Sequence, residues 1–195
     1  MPRVGLAPVS VTEAGAALAD EVGFDQLSMG LLAERLGVKT PSLYKHVAGQ
    51  ADLVHRIAVL AMDELADEIR DATQGRSGTE ALRSGATAMR RYVLEHPGRY
   101  AAGNAARVTG PDDPLRAANG RVLASWAAML HGYHLDADEE IHALRMLRSM
   151  LHGFADLEAG GGFQIATSVE DSFSWLVDFL DRGLRTMGPD RARPH

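Results

Sequence analysis

The sequence predicts an all-α protein in two parts, a small N-terminal three-helix unit carrying a helix-turn-helix and a larger helical remainder. Three observations carry that prediction. Apolar residues recur at spacings of three and four through most of the 195 residues. Capping residues and glycine or proline stops punctuate them at helix-length intervals, while strand-like alternation is scarce. Within residues 28–47, SMGLLAERLGVKTPSLYKHV, the small, glycine and apolar positions are those that two short helices need to cross around a tight turn.

A first helix is expected from about residue 10 to 22. Ser10 is placed as its N-cap with Glu13 in the capping-box position, Gly23 stops it, and Ala14, Leu18 and Val22 share a face. A second begins at the N-cap Ser28 and ends before Gly37, with Leu31, Leu32 and Leu36 as its apolar stripe. A third opens on Thr40 as N-cap with Pro41 at the first helical position, where a missing N–H costs nothing, and turns Leu43 and Val47 inward. A long fourth helix covers about 50–72 and buries Leu53, Ile57, Leu60, Leu65 and Ile69. After the loop at 75–78, helices are expected over 79–96, stopped by Pro97, over 100–106, and over 115–133, beyond the breaker Gly110-Pro111-Asp112-Asp113-Pro114. Two long helices close the chain at about 136–158 and 168–187. Asp136 with Glu139 and Ser168 with Asp171 start them, and Gly160-Gly161-Gly162 loops between them. The tail from 188 is expected to fray. The domain line falls inside the fourth helix near residues 50–56, giving a 1–50 unit and a 51–195 unit.

Composition narrows the function classes. The chain has no cysteine, so neither a disulfide framework nor a thiolate metal site is available. A net charge of −6 argues against a protein that coats nucleic acid indiscriminately, though not against one that concentrates positive charge on a single face. Of the 20 basic residues only Lys39 and Lys45 are lysines, and both fall in the helix-turn-helix. No signal-peptide pattern opens the chain and no apolar stretch has membrane-spanning length, so a soluble, cytoplasmic protein is expected. His131 and His134 share a helix face, and His142 lies nearby. With no zincin glutamate between the first two, no completing carboxylate pair and no Gly-x-Ser-x-Gly elbow, neither a metal site nor a catalytic site nor a cofactor is expected.

Within residues 28–47, Ala33 is small where the two helices approach, Gly37 can take the left-handed conformation that ends the first of them, Val38 plugs the turn and Leu43 faces the small core. A third helix that enters a major groove meets base edges with its N-terminal residues and phosphate with its flanks. Lys39, Thr40, Ser42, Tyr44, Lys45 and His46 are then the exposed residues; all can hydrogen-bond to DNA and none is acidic.

Gly37-Val38, Pro41-Ser42-Leu43-Tyr44-Lys45-His46-Val47 and Leu53 resemble the DNA-binding domain of the TetR family of transcriptional regulators, over about residues 9–52. That resemblance implies roles residue by residue. Tyr44 and His46 match positions that hold the phosphate backbone. Thr40, Ser42 and Lys45 match positions that read bases or neighbouring phosphates, and Ser28 matches a phosphate contact. Pro41 matches a contact to a thymine methyl, and Lys39 reaches backbone or base from the turn. Gln50 stands where many members hold phosphate with a lysine, and Gly30 where some read guanine with a basic residue. The electrostatic share of binding is therefore expected to be small.

The resemblance further implies a ligand-responsive regulator, in most cases a repressor, binding a palindromic operator as a homodimer. Its half-sites lie about one helical turn apart, roughly 34–36 Å. Both closing helices carry apolar residues around more than one face. The family pairs them with their symmetry mates through a surface expected here to hold Leu144, Leu147, Leu151, Phe173, Leu176, Val177, Leu180 and Leu184; the other reading makes both helices central in the monomer. Residues 151–163 look similar to a C-terminal subtype within the family. The family commonly holds a small-molecule effector among its C-terminal helices. Met62, Met89, Tyr92, Trp126, Met129, Met146 and His152 are candidates to line such a pocket, with plain core packing as the alternative. A helical dimer that binds a small apolar molecule and does not use its DNA-binding unit is the competing functional reading.

Overall fold

In a computed structural model that describes residues 7–187, the helical segments become α1 (Pro8–Val22), α2 (Met29–Arg35), α3 (Thr40–Leu43), α4 (Gln50–Thr73), α5 (Gly78–Glu95), α6 (Pro97–Ala105), α7 (Pro114–Leu130), α8 (Ala137–Ala159) and α9 (Val169–Met187). No strand occurs among the described residues, and the expected fraying beyond 187 lies outside them. Short 3₁₀ turns at Phe24–Gln26 and His131–Tyr133 follow α1 and α7, and apolar spacing signals neither. The helices make two compact units. Among the described residues, one joins the segment up to Glu64 with Glu95–Asn119, and the other joins Leu65–Leu94 with the segment from Gly120 to Met187.

In the first unit α1 starts earlier than its serine suggests. Pro8 occupies the first turn and Ser10 the third helical position, from which its Oγ accepts the Ala7 N–H at 3.0 Å. Ser10 thus caps by reaching back, and Glu13 is not part of a capping box. The buried face of α1 runs through Val11, Leu18 and Ala19, while Val22 is exposed. α2 begins as expected: Ser28 is its N-cap and accepts the Leu31 N–H. Leu32 is fully buried, but Leu31 turns outward. Gly37 has φ +65°, Val38 N–H donates to Ala33 C=O and Gly37 N–H to Glu34 C=O, the paired bonds that close a helix on a left-handed residue. Thr40 is the first residue of α3 and not its cap; Lys39 precedes it without a side-chain cap bond.

Pro97 ends α5 and starts α6 in one step, so α6 begins three residues before the expected position. α6 lies against α1 at Gly98, where a Cβ would stand 2.1 Å from the Ala19 carbonyl carbon and oxygen. Asp20 fixes the contact by accepting the Arg99 N–H at 2.9 Å and pairing its charge with the guanidinium, 2.8 Å from Nε, and Glu64 of α4 accepts from Arg99 Nη1 at 2.9 Å.

Ahead of α7, the breaker segment closes on Asp113. Its carboxylate accepts the Thr109 N–H at 2.7 Å, the Leu115 N–H at 2.9 Å and the Thr109 hydroxyl, and lies 2.8 Å from His55 Nε2 of α4. Led by the Thr109 N–H, these donors hold the carboxyl well below the usual carboxylate range against the opposing effect of desolvation. The unfolded chain binds that proton near pH 4, and the folded protein resists it. Stability owed to Asp113 is therefore complete at neutral pH and fades as pH falls from about 5. Asp113→Asn should lower Tm at pH 7, and the gap to wild type should narrow on acidification to pH 3; a constant gap would contradict the charge-based account.

The second unit is tied by two polar clusters. Arg90 of α5 donates to Glu158 of α8 from Nε at 2.7 Å and to Glu170 of α9 at 2.5 Å, with its guanidinium 4.6 Å from the Phe173 ring centroid. Asp181 of α9 accepts from the Tyr133 hydroxyl at 2.6 Å and the Thr79 hydroxyl at 2.7 Å. The starts of both closing helices match expectation. Asp136 and Glu139 form a capping box for α8, and Ser168 Oγ accepts the Asp171 N–H ahead of α9.

Candidate nucleic-acid interface

Leu43 and Val47 are buried in the small core, with Leu32, Leu53 and Ile57, which leaves one side of α3 outward. Pro41, Tyr44 and Lys45 are exposed there, Tyr44 by 56%, and Thr40, Ser42 and His46 flank them half-buried. α3 is a single turn prolonged by Tyr44-Lys45-His46, whose chain is held by His46 and Val47 N–H bonds to the Leu43 carbonyl. Lys39 is exposed just ahead of it, and Ser28 is half-buried at the start of α2. One unit of the fold thus brings together every residue expected to touch DNA.

The charge on this face is sparse. Arg35 at the end of α2 makes a two-pronged pair with Glu21 of α1, at 2.5 and 2.7 Å, so its charge is matched within the protein. Lys39 and Lys45 remain as the exposed lysines. Gly30 faces open space, with only Ser28 Oγ, 3.9 Å away, within reach of a Cβ. Gln50, grouped by sequence with the residues at the DNA face, also has a partner inside its own unit. Although exposed as a residue, it donates its side-chain amide to the Leu27 carbonyl at 2.8 Å. No local sequence pattern announces that bond, because its partners stand 23 positions apart.

The proposed pocket residues divide between the units. Met89, Tyr92, Trp126 and Met129 are buried in the second, with Met146 and His152 half-buried on α8, whereas Met62 belongs to the first unit. Trp126 Nε1 is buried and meets no acceptor among the described residues.

Most of the surface expected to pair protomers is turned into the protomer's own interior. Leu147, Leu151, Phe173, Val177, Leu180 and Leu184 are buried within the protomer, Leu180 to 1% exposure, and Leu144 and Leu176 are half-buried. Residues already withdrawn from water cannot supply the area that association removes. The outward apolar face of α9 instead carries Trp175 and Phe179, 64% and 49% exposed, their rings stacked with centroids 5.7 Å apart. Their i, i+4 spacing, opposite the buried 173-177-180-184 stripe, is the signal that marks them.

Comparisons with known proteins bear on the family and the fold. The family model described as "Bacterial regulatory proteins, tetR family" matches residues 11–57, and that described as "Tetracyclin repressor-like, C-terminal domain" matches residues 82–180. An uncharacterized HTH-type transcriptional regulator of Bacillus subtilis, YobS, is 31% identical over 185 residues, covering 94% of this chain and 95% of that protein. Among solved structures, BioQ with its double-stranded DNA operator superposes with a TM-score of 0.66 at 19% identity, covering 93% of this chain and 99% of BioQ. A TetR variant from Acinetobacter baumannii in complex with minocycline superposes at 0.69 with 22% identity, covering 98% and 100%.

Proposed function

The chain belongs to the TetR family of transcriptional regulators, and from that premise we propose that it is a cytoplasmic, ligand-responsive repressor that binds a palindromic operator as a homodimer. The observation that carries the DNA part is the outward face of α3, where hydrogen-bonding residues and a lysine stand clear of the core without a single carboxylate. Tyr44, His46 and Ser28 hold phosphates, while Thr40, Pro41, Ser42, Lys39 and Lys45 read bases or their neighbouring phosphates. The solved BioQ complex with its operator supports this use of the fold. No helix among the described residues is long and apolar enough to cross a membrane.

Two observations support the remaining parts. The stacked, exposed Trp175–Phe179 pair is suited to burial against a second copy, which places two recognition helices on one duplex. The minocycline complex of a fold neighbour, with the buried and unpartnered Trp126 Nε1 here, supports an effector that is largely apolar and carries a hydrogen-bond acceptor. Such a ligand acts as inducer only if it prefers the conformation that cannot bind DNA.

Selection of bound fragments from random duplex DNA tests the reading. Recovery of a palindrome supports it; no enrichment even at low salt favours a protein that binds its small molecule without using DNA. On the recovered site Lys45→Ala should weaken binding about 10-fold and Tyr44→Phe by less, both without lowering Tm, because both side chains are exposed. With two exposed lysines per protomer, log K should fall against log salt with a slope of only about −4 for the dimer.

A further inference from the structure

From the hydrogen bond that Gln50 makes inside the first unit, we infer that Gln50 is a positioning residue for DNA binding: its amide holds the Leu27–Ser28 junction against the base of α4, and so sets where the Ser28 hydroxyl stands relative to the outward face of α3. The inference rests on the DNA-binding reading above.

Leu27 lies one residue before the cap of α2. The Leu31 N–H, which would reach the Leu27 carbonyl if the helix started earlier, goes instead to Ser28 Oγ, and the Leu32 N–H goes to the Ser28 carbonyl. The Leu27 carbonyl is thereby left without a helical donor, and Gln50 Nε2 supplies one at 2.8 Å. The donor comes from a fixed base. Leu53 and Ile57 are fully buried and pack against α1 at Gly15, with a Cβ there only 3.0 Å from Leu53 Cδ1. Asp52 accepts the Ala48 N–H at 2.7 Å and is itself gripped by Arg56 Nε at 3.0 and 3.1 Å. Gln50 extends that anchored helix end to the backbone that carries Ser28. Because Ser28 Oγ accepts from Leu31, its own proton is free to donate outward, and a shift of the junction would move that donor away from the phosphate it meets.

The test uses the full chain and the duplex recovered by selection. Gln50→Met keeps the side chain's length and removes the amide; Ser28→Ala and Lys45→Ala remove the two contacts to be compared. Gln50→Met should lose about 10-fold in affinity with an unchanged salt slope, because no charge that meets phosphate is removed. The double variant Gln50→Met/Ser28→Ala should bind no more weakly than the weaker of its two singles, whereas the losses of Gln50→Met and Lys45→Ala should multiply. A loss that appears only as a lowered Tm would not produce that pattern. Wild-type affinity for Gln50→Met, or losses that multiply with Ser28→Ala as well, would overturn the inference while leaving the operator reading intact. Failure of the wild type to bind any selected duplex would strike the operator reading itself.

Discussion

A protein carrying Trp175→Glu and Phe179→Glu together should sediment as a monomer while keeping the helical spectrum of the wild type, with a Tm that loses the share contributed by association and no longer depends on protein concentration. Both rings are exposed in the protomer, so their replacement removes little from its interior. Across a two-fold axis both protomers would bury the same pair of rings, and large aromatic side chains dominate the energetics of such contacts. Splitting the dimer also separates the half-site readers. Two linked readers gain about 10²–10⁴-fold in avidity over one, so the monomer should bind the full operator weaker by roughly that factor and bind an isolated half-site almost as well as the wild-type protomer does. Leu180→Arg, the substitution that the apolar pattern alone recommends, would not make this test. Leu180 is buried inside the protomer, and an unpaired guanidinium there would unfold it. An unchanged mass for the Trp175/Phe179 variant would move the interface elsewhere.

Gly98→Ala should be the most damaging of the small substitutions. The added methyl would stand 2.1 Å from the Ala19 carbonyl and 2.6 Å from the Asp20 nitrogen, and all of those are backbone atoms that cannot swing aside. Relief requires α6 to move off α1, which also breaks the Arg99–Asp20 bonds. Overpacking of this kind costs about 3 kcal/mol or more. In denaturant melts the midpoint should fall accordingly. Gly110→Ala, where nothing lies within 4 Å of the added carbon, should leave the melt unchanged and serves as the control.

These expectations show which parts of the protein can be read from sequence. Features set by neighbours in the chain are legible: the Ser28 cap, the left-handed Gly37, the Asp136–Glu139 box and the inward Leu43 each depend on residues within one or two turns. The start of α1 is ambiguous because a serine satisfies orphan N–H groups from the cap position or, as Ser10 does, from three positions later. The faces of α9 are ambiguous for a different reason. Both are apolar, and periodicity does not say which one the neighbouring helices take, so the buried stripe and the Trp175–Phe179 face are interchangeable until the fold is known. Gly98 and Gln50 owe their roles to segments far away in sequence, and neither residue type carries a local signature of such a contact.

At the base of this account is the claim that the Lys39–His46 turn meets the duplex. Nuclear magnetic resonance of ¹⁵N-labelled protein titrated with the selected duplex measures it residue by residue. The account predicts that the largest amide shifts fall at Ser28 and at Lys39–His46, with α8 amides little changed. Shifts centred on any other helix, with the Lys39–His46 amides unmoved at saturation, would contradict it.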